Sequence, residues 1–497
     1  MKEPPSRTRR DSGRAAWVSL AATVAFSLLI LGLLPHARGQ KQEAAPYPWK
    51  AAAAKAVITP TEPVWMAGYA GRKEPSEGVM LDLHAKALAI EDAEGGRFVF
   101  VTLDLIGVPK PLRVDVEKEA EKRFGLPPAS LLLNASHTHC GPMIRLFRPP
   151  GGSESDERAS YLAVPEDQQE LRVRQTREYR VKLTETILSL IGETLGRLEP
   201  VELRWSKARC GFSMNRRTPT GTGDFRNFPN PDGPVDQEVP VLQVRTGEGD
   251  GALKAVLFGY ACHATTLGIQ KLNGDWPGYA QSYFEEDHPG AVAMFLNGCS
   301  GDQNPYPRGL EVHVERHGRS MATAIEAALA TEGHVLGGPL RAALDWPEIP
   351  YATPPSRAEL EERAKSTDRY DAANGQLLLD VLDRVGKLPE RYPVPVQVLR
   401  IGDGLTLAAL GGEATVDYSL RLKRELGEKT GGAPVWVAGY SNDVMCYIPS
   451  ERVLGEGGYE GKTSMRYARS TIHPGPWAAG IEERLVKAVH ALFESLH

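Results

Sequence analysis

Short apolar runs alternate with helical patterns along the chain from Ala56 onward. The apolar runs have the length and the β-branched and aromatic content of strands, and they lie at 98–104, 131–135, 255–260, 292–296, 405–410 and 435–438. Apolar residues at helical spacing lie between these runs, at 112–124, 165–197, 315–331, 356–386, 415–426 and 478–496. This alternation predicts an α/β fold in which helices pack around a large mixed sheet.

The first 39 residues differ in character from the rest of the chain. Basic residues precede an apolar stretch from about Ala15 to Pro35, and small residues follow near Ala37 and Gly39. This order predicts a signal peptide, and about 20 apolar residues are also long enough to form a membrane anchor. We therefore expect an exported protein that is periplasmic, extracellular or anchored with its domain outside. The expected divisions are 1–39 as signal peptide or anchor, 40–54 as linker and 55–497 as one enzyme-sized domain.

Composition restricts the partners of this domain. Hydrophobic residues make up 41% of the 497 residues, which is enough for a packed core and excludes disorder as the main state. The net charge of −5 at pH 7 lacks the excess of Lys and Arg that nucleic-acid binding requires. We therefore expect no nucleic-acid partner, and the sequence leaves the oligomeric state open.

Several familiar motifs of catalysis and metal binding are missing from the sequence. There is no His-Glu-x-x-His, no Gly-x-Ser-x-Gly and no Gly-x-x-x-x-Gly-Lys-Ser/Thr. No Cys-x-x-Cys spacing occurs among the cysteines, which excludes a structural zinc finger. Cys140, Cys262, Cys299 and Cys446 lie beside the candidate site residues, where they would either form disulfides or remain as small buried thiols.

Polar residues follow five of the predicted strands, at the point where each strand ends. These residues are His137 and His139, His263, Asp302 and Asn304, Glu413, and Tyr447. Binding sites in open α/β sheets form outside the carboxyl ends of the strands. The sequence therefore predicts one convergent site at these ends.

The pair His137 and His139 is the strongest part of this pattern. Residues i and i+2 of an extended segment point to the same side, so both imidazoles can face one ion. Taken alone, the pair is more typical of hydrogen-bonded loop histidines, His263 of a core histidine, and Glu413 of an acid at a helix N-terminus. Together, two histidines and one carboxylate form the ligand set of a catalytic zinc with an open position for water. We therefore predict a metal site.

The motifs also resemble those of a known family. They are Val57-Ile58-Thr59-Pro60, Thr102-Leu103-Asp104, Asn134-Ala135-Ser136-His137-Thr138-His139-Cys140-Gly141-Pro142, Cys262-His263-Ala264-Thr265, Gly301-Asp302, Gly412-Glu413, Asn442-Asp443, Tyr447 and Tyr459-Glu460-Gly461. Their sequence and order resemble the neutral/alkaline, non-lysosomal ceramidase family over about residues 55–465.

The resemblance implies one Zn²⁺ per chain and specific roles for individual residues. The positions that match the zinc ligands of the family are His137, His263, Glu413 and Tyr447. The residues expected to act on the substrate are His139 as proton handler, Tyr459 as oxyanion donor, Arg216 with Arg217 as a competing match, and Asp302.

Two features depart from the family pattern. Asn304 occupies the serine position of the family's Gly-Asp-Val-Ser-Pro loop, where it can still donate a hydrogen bond. We also expect this chain to lack the C-terminal immunoglobulin-like domain of the longer family members.

The expected function is that of an exported zinc amidohydrolase. Water activated by zinc would attack an N-acyl amide, His139 with Asp302 would move the proton, and Tyr459 and Arg216 would stabilise the oxyanion. A ceramide-like lipid is the leading substrate, and association with a membrane surface is expected with it. The alternatives are the same centre acting on an ester or a non-lipid amide, and a non-catalytic exported protein that binds lipid or glycan.

Overall fold

The structure, a computed structural model, describes residues 48–247, 251–467 and 470–496. All of these belong to one compact unit. The predicted signal peptide or anchor at 1–39 and the first part of the predicted linker lie outside the described residues. The expected signal peptide or anchor at 1–39 stays a prediction.

The strands of the described chain are numbered in order. They are β1 (Trp49–Val57), β2 (Gly78–Val79), β3 (His84–Glu91), β4 (Arg97–Leu103), β5 (Leu131–Ala135), β6 (Leu146–Phe147), β7 (Arg158–Ala159), β8 (Glu199–Arg209), β9 (Ser213–Pro219), β10 (Phe225–Asn230), β11 (Glu238–Arg245), β12 (Leu253–Tyr260), β13 (Lys271–Leu272), β14 (Val292–Asn297), β15 (Gln303–Pro305), β16 (His334–Val335), β17 (Leu340–Asp345), β18 (Glu348–Pro350), β19 (Arg391–Pro393), β20 (Val396–Ile401), β21 (Leu405–Leu410), β22 (Glu413–Ala414), β23 (Val435–Ala438) and β24 (Tyr447–Ile448).

The helices of the described chain are numbered in the same way. They are α1 (Lys110–Phe124), α2 (Gln169–Gly196), α3 (Asp275–Asp287), α4 (Glu311–Leu329), α5 (Arg357–Arg363), α6 (Arg369–Val385), α7 (Val416–Lys429), α8 (Glu451–Glu456), α9 (Gly458–Gly461) and α10 (Ile481–Ser495).

Two sheets form the centre of the molecule. The larger has nine strands in the order β14-β12-β11-β8-β1-β3-β4-β5, with β16 added beside β8. The smaller has four strands in the order β17-β20-β21-β23. The pairs β4–β5, β12–β14 and β21–β23 are parallel, so each pair ends its strands at a common edge.

The two sheets pack face to face, with helices on their outer faces. Along β21, Leu405 and Leu407 point toward the large sheet, where they share a hydrophobic cluster with Trp205 and Phe100. Ala408 and Leu410 of the same strand point outward and pack with α7 and α10. On the far side of the large sheet, a third cluster joins its strands to α1, α2, α3 and α4. The result is four layers in the order helix, sheet, sheet, helix, which confirms the predicted α/β class with a large mixed sheet.

Two local predictions were wrong. Residues 49–54 were assigned to a linker, but they form most of β1 in the middle of the large sheet. Alanine-rich segments have low strand propensity, yet the small side chains of Ala51 and Ala54 are buried in the two closely packed layers on either side of β1.

The helix expected at 356–386 is two helices, because Asp368 caps the second one by accepting hydrogen bonds from the backbone N–H groups of Tyr370 and Asp371.

None of the described helices combines the length and the apolar character needed to cross a bilayer.

Candidate metal site and catalytic pocket

The carboxyl ends of the parallel strands converge because the large sheet curls. Its edge strands β5 and β14 are bridged by Asn134, whose Oδ1 accepts from Asn297 N at 2.9 Å and whose Nδ2 approaches Asn297 O at 3.5 Å. Asn134 Nδ2 also donates to Gly439 O, at the end of β23. The segments that follow β5, β14 and β23 therefore meet at one place, as the sequence predicted.

His137 follows β5 in a left-handed backbone conformation, with φ of 63°. This conformation is uncommon for a residue other than glycine and is found most often at functional sites. The ring is buried, and its Nδ1–H donates to Ile106 O at 2.6 Å. That hydrogen bond fixes the tautomer, so Nε2 carries a lone pair and points into the site.

His263 follows β12 and is held in the same way. Its Nδ1–H donates to Ser300 O at 2.6 Å, in the segment after β14. Burial, followed by the positive charge of Arg216, lowers the pKa of His263 to about 3. The imidazole is therefore neutral at ordinary pH, and its Nε2 is also a bare acceptor.

Glu413 is placed by the two-residue strand β22, which pairs in parallel with β24 so that Glu413 lies opposite Tyr447. Glu413 Oε2 lies 3.2 Å from His137 Nε2 and 3.3 Å from His263 Nε2. Tyr447 Oη lies 3.5 Å from His263 Nε2.

These atoms form a cluster, here called the acceptor centre, of two imidazole nitrogens and one carboxylate oxygen with the Tyr447 hydroxyl beside them. Glu413 Oε2 is buried and has no hydrogen-bond donor among the described residues. Because each imidazole uses its Nδ1–H to donate to a carbonyl, a neutral ring presents the lone pair of Nε2 to the carboxylate, and a cation between them would stabilise that arrangement. The donor set, two imidazole nitrogens and a carboxylate with a phenol beside them, fits a divalent metal such as zinc. The geometry thus brings together all four residues predicted as ligands.

His139 is the third imidazole of the site. Its Nε2 lies 3.1 Å from His137 Nε2, and its ring lies 4.8 Å from that of Tyr69. The ring packs against Gly68, where a Cβ would come within 2.5 Å of it. Burial and the neighbouring imidazoles keep the pKa of His139 well below its ordinary value.

The ring nitrogens of His137, His139 and His263 all lie within 4.8 Å of one another. The three histidines therefore form a second ligand set that the site offers, in which His139 replaces Glu413 or Tyr447. The predicted ligand set, in which His139 lies next to the metal without binding it, stays a prediction.

Arg216 connects the site to the layer of residues behind it. Its Nη2 donates to Tyr447 Oη at 2.9 Å, its Nε to Glu460 Oε1 at 2.9 Å and its Nη1 to Asn304 Oδ1 at 3.2 Å. Arg217 points away from Tyr447 and donates to the other oxygen of Glu460 at 2.6 Å. Of the two arginines that matched the family pattern, Arg216 is the one at the site.

Glu460 is a site residue that sequence reasoning missed, although it lies within the quoted motif beside Tyr459. Its side chain is only 4% exposed and holds both arginines in place. The sequence signal that could have identified Glu460 was its position next to a predicted catalytic tyrosine. Its partners are more than 240 residues away in sequence, so the pattern did not identify its role.

Asp302 and Asn304 are both buried but lie behind the acceptor centre. Asp302 accepts from Val416 N at 2.9 Å and from Asn215 Nδ2 at 3.0 Å, and burial raises its pKa to about 6. No described contact joins Asp302 to His139, so the shared proton-handling role expected for it lacks structural support. Asn304 accepts from Arg216 and therefore positions that guanidinium.

The acceptor centre opens into a cavity of about 500 Å³. Most of its aromatic lining is tyrosine, namely Tyr69, Tyr161, Tyr370, Tyr447, Tyr459 and Tyr467. Tyr459 is 38% exposed, and its ring lies 5.4 Å from that of Tyr447. Its hydroxyl has no hydrogen-bond partner in the described part of the chain, so it is available to a substrate.

The start of α6 covers one side of this cavity. Tyr370, at the start of α6, donates from its hydroxyl to Ala70 O at 2.8 Å and so joins α6 to the loop after Tyr69. Its ring lies 4.8 Å from that of Tyr467. The cavity therefore has an aromatic wall that runs outward from the acceptor centre.

The cysteines near the site do not pair. Cys140, Cys210, Cys262, Cys299 and Cys446 are all free and buried. Of the two arrangements left open by the sequence, the structure shows small buried thiols that fill space beside the site.

The chain is similar to several known proteins. The family described as neutral/alkaline non-lysosomal ceramidase, N-terminal, matches residues 52–146, which include His137 and His139. The chain is 24% identical to the neutral ceramidase of Pseudomonas aeruginosa over 563 aligned positions, covering 95% of this chain and 76% of that protein. It is also 24% identical to neutral ceramidase A of Dictyostelium discoideum over 266 positions, 49% of this chain and 34% of that protein.

Solved structures show the same fold. The crystal structure of neutral ceramidase from Pseudomonas aeruginosa superposes with a TM-score of 0.66 at 21% identity, covering 91% of this chain and 75% of that one. A ceramidase complexed with C2 gives the same TM-score and identity, covering 90% of this chain and 76% of that one.

Proposed function

This chain belongs to the neutral/alkaline non-lysosomal ceramidase family, and from that premise we propose that it is a zinc-dependent amidohydrolase that cleaves an N-acyl amide. A ceramide-like lipid is the leading substrate, because the curated relatives that match the chain are named neutral ceramidases. The products would be a fatty acid and a sphingoid base.

The observation that carries this proposal is the acceptor centre. Two imidazole nitrogens and one carboxylate oxygen lie together there, at N–O distances of 3.2 and 3.3 Å. A cation would stabilise such a set, and two histidines with one carboxylate leave a position open for catalysis. A bound zinc ion would supply Lewis acidity to the amide carbonyl and to water.

The protein's own groups supply the remaining steps. His139 lines the cavity beside the acceptor centre, where its imidazole can accept a proton and deliver it to the leaving amine. The free hydroxyl of Tyr459 can donate a hydrogen bond to the oxyanion as the carbonyl becomes tetrahedral. Arg216 has all three of its nitrogens engaged, and it acts through Tyr447 by donating to its oxygen.

The lining of the cavity favours a second candidate, in which the same centre cleaves a polar amide or an ester. Among the residues that line the cavity, tyrosines outnumber the aliphatic side chains, of which Ile106 and Met445 are examples. A long unbranched acyl chain would find little aliphatic surface there, whereas rings and hydroxyl groups would find matching partners.

The proposal also includes export of the protein from the cytoplasm. The basic residues and apolar stretch within 1–39 support a secreted or anchored protein whose domain lies outside the membrane, near a lipid surface.

Replacing a ligand tests the metal and the reaction together. We expect His263→Ala to lose the bound zinc, measured by elemental analysis, and to lose hydrolysis of a short-chain ceramide and of a short N-acyl amide. The matched control is His288→Ala, which removes an imidazole that pairs with Glu326 away from the site. A His263→Ala protein with full zinc content and full activity would contradict the proposal.

A further inference from the structure

A second cavity of about 520 Å³ adjoins the catalytic cavity. The two share Arg145, which lines both. The second cavity, here called the side chamber, lies between the start of α1, the segment 144–146, one face of α2 and the segment 443–444. No role in the proposed reaction uses this space.

Arg145 stands at the boundary of the two cavities. Its Nη2 donates to Val444 O, and it lies so close to Gly107 that a Cβ there would come within 2.6 Å of it. Gly107 follows Ile106, whose carbonyl holds His137, and Val444 precedes the segment that leads to Tyr447. The guanidinium is therefore fixed between the two backbone segments that carry the acceptor centre.

Two more cations line the side chamber. Lys110, at the start of α1, has its ammonium 5.0 Å from the centre of the Trp346 ring, and Arg180 projects from α2. No described carboxylate oxygen lies within 4.0 Å of the charged nitrogens of Lys110, Arg145 or Arg180. Three cations that line one half-enclosed cavity without a close carboxylate favour an anion between them.

Two acids share this lining with the three cations. Asp443 is buried and accepts from Lys110 N and from the Tyr392 hydroxyl, at 3.1 and 2.7 Å, while the charges of Arg145 and Lys110 lower its pKa against the larger effect of burial. Asp115 is exposed on α1, and its charge raises the pKa of Arg180 against the larger effect of burial. Three cations and two acids leave an excess of one positive charge in the lining.

We propose that the side chamber binds an anionic group of the substrate, so that the protein prefers N-acyl amides that carry a carboxylate, phosphate or sulfonate. The proposal rests on the amidohydrolase function given above and narrows its substrate. A guanidinium fixed between the two cavities suits an anion a few bonds from the scissile amide, because its planar donors match the oxygens of such groups. A neutral ceramide would offer only hydroxyl groups here.

A pair of matched ligands tests this proposal. N-Octanoylglycine carries a carboxylate next to its amide, and N-octanoylglycinamide is its neutral counterpart. Their ketone isosteres, in which a methylene replaces the amide nitrogen, resist hydrolysis and report binding to the zinc-loaded protein by calorimetry. We expect the acid isostere to bind about tenfold more tightly than the neutral one, as for a hydrogen bond to a charged group.

Substitutions in the side chamber then test whether it causes the tighter binding of the acid isostere. Arg145→Met and Arg180→Gln should each remove most of the preference, and raising the salt concentration should weaken it. The matched control is Arg174→Gln on the same helix as Arg180, at an exposed position outside the chamber, which should keep the preference. Arg180 lies on the wall away from the acceptor centre, so its variant remains informative if Arg145→Met folds poorly.

Equal binding of the two isosteres by the unaltered protein would overturn the proposal, as would a preference that both substitutions leave intact. Hydrolysis is scored separately on the two amides and on a short-chain ceramide. A protein that prefers the acid isostere but cleaves none of the substrates would contradict the proposed function and retain the anion site. A protein that cleaves the substrates but binds the two isosteres equally would contradict the anion site and retain the proposed function.

Discussion

Three of the four candidate ligands in this site are each oriented by a second group farther from the cavity. Ile106 O and Ser300 O set the tautomers of His137 and His263, and Arg216 donates to the Tyr447 oxygen. Such outer partners commonly decide how well a metal is held. Glu460 supports this arrangement, because its carboxylate keeps Arg216 in place.

Glu460 therefore carries a prediction about stability. Glu460→Gln keeps the size of the side chain but leaves two buried guanidinium groups without their shared countercharge. Because breaking a buried ion pair leaves uncompensated charge, we expect the free energy of unfolding to fall by about 3 kcal/mol. Chemical denaturation of the two proteins measures the difference.

The control for this prediction is Glu456→Gln. Glu456 pairs with Arg217 and Arg452 from a position that is 23% exposed. Solvent reduces the value of such pairs to about 1 kcal/mol or less. Equal losses in the two variants would show that burial of Glu460 does not set its contribution.

Asp443 carries a prediction about pH. Burial raises its pKa to about 6 in the folded protein, from an ordinary value of 3.8. The folded protein therefore holds this proton more tightly than the unfolded chain does. The resulting contribution to the free energy of unfolding is complete below about pH 4 and is lost as the pH rises through about 6. In Asp443→Asn the amide never ionises, and the Tyr392 hydroxyl, which now donates to Asp443, can accept from the new NH₂ group instead.

The advantage of Asp443→Asn over the unaltered protein should therefore grow by about 2–3 kcal/mol between pH 4 and pH 7. Unfolding free energies measured at both pH values give the comparison. A difference that stays constant, or that shrinks as the pH rises, would show that Asp443 ionises normally in the folded protein.

At the scale of secondary-structure elements, apolar runs were sufficient to predict the strands that carry the site. The run at 131–135 is β5, and the run at 405–410 is β21. The sequence did not predict β1, because strings of alanine are ambiguous until neighbouring strands bury them. It also did not predict the short strands β22 and β24, whose pairing places Glu413 opposite Tyr447 and depends on tertiary contacts alone.

The β22 segment gives a prediction of its own. Gly301 passes so close to this strand that a Cβ would come within 2.5 Å of Glu413 O. Gly301→Ala should push Glu413 away from the imidazoles and lower zinc affinity by about tenfold or more, as measured with a competing chelator. The fold should survive, because the change adds one methyl group.

Gly211→Ala is the matched control for this substitution. A Cβ at Gly211 would meet no atom within 4 Å. Unchanged zinc affinity in Gly301→Ala would show that the position of Glu413 does not depend on this close approach.

At the scale of the whole molecule, the site lies where the two sheets meet. The large sheet supplies His137 and His263, and the segments around the small sheet supply Glu413 and Tyr447. The sequence predicted that these strand ends converge, but it did not predict how. The convergence depends on the curl of the large sheet and on the hydrogen bonds between Asn134 and Asn297. These are tertiary contacts, which no local sequence pattern predicts.

The central claim is that the acceptor centre holds a catalytic metal. The most direct test is the metal content of the purified protein, before and after chelation and zinc repletion, with hydrolysis of an N-acyl amide measured on the same samples. The account predicts about one zinc per chain, loss of both zinc and hydrolysis on chelation, and recovery of both on repletion. A protein that binds no metal even after repletion, or that hydrolyses amides equally well without it, would contradict the account.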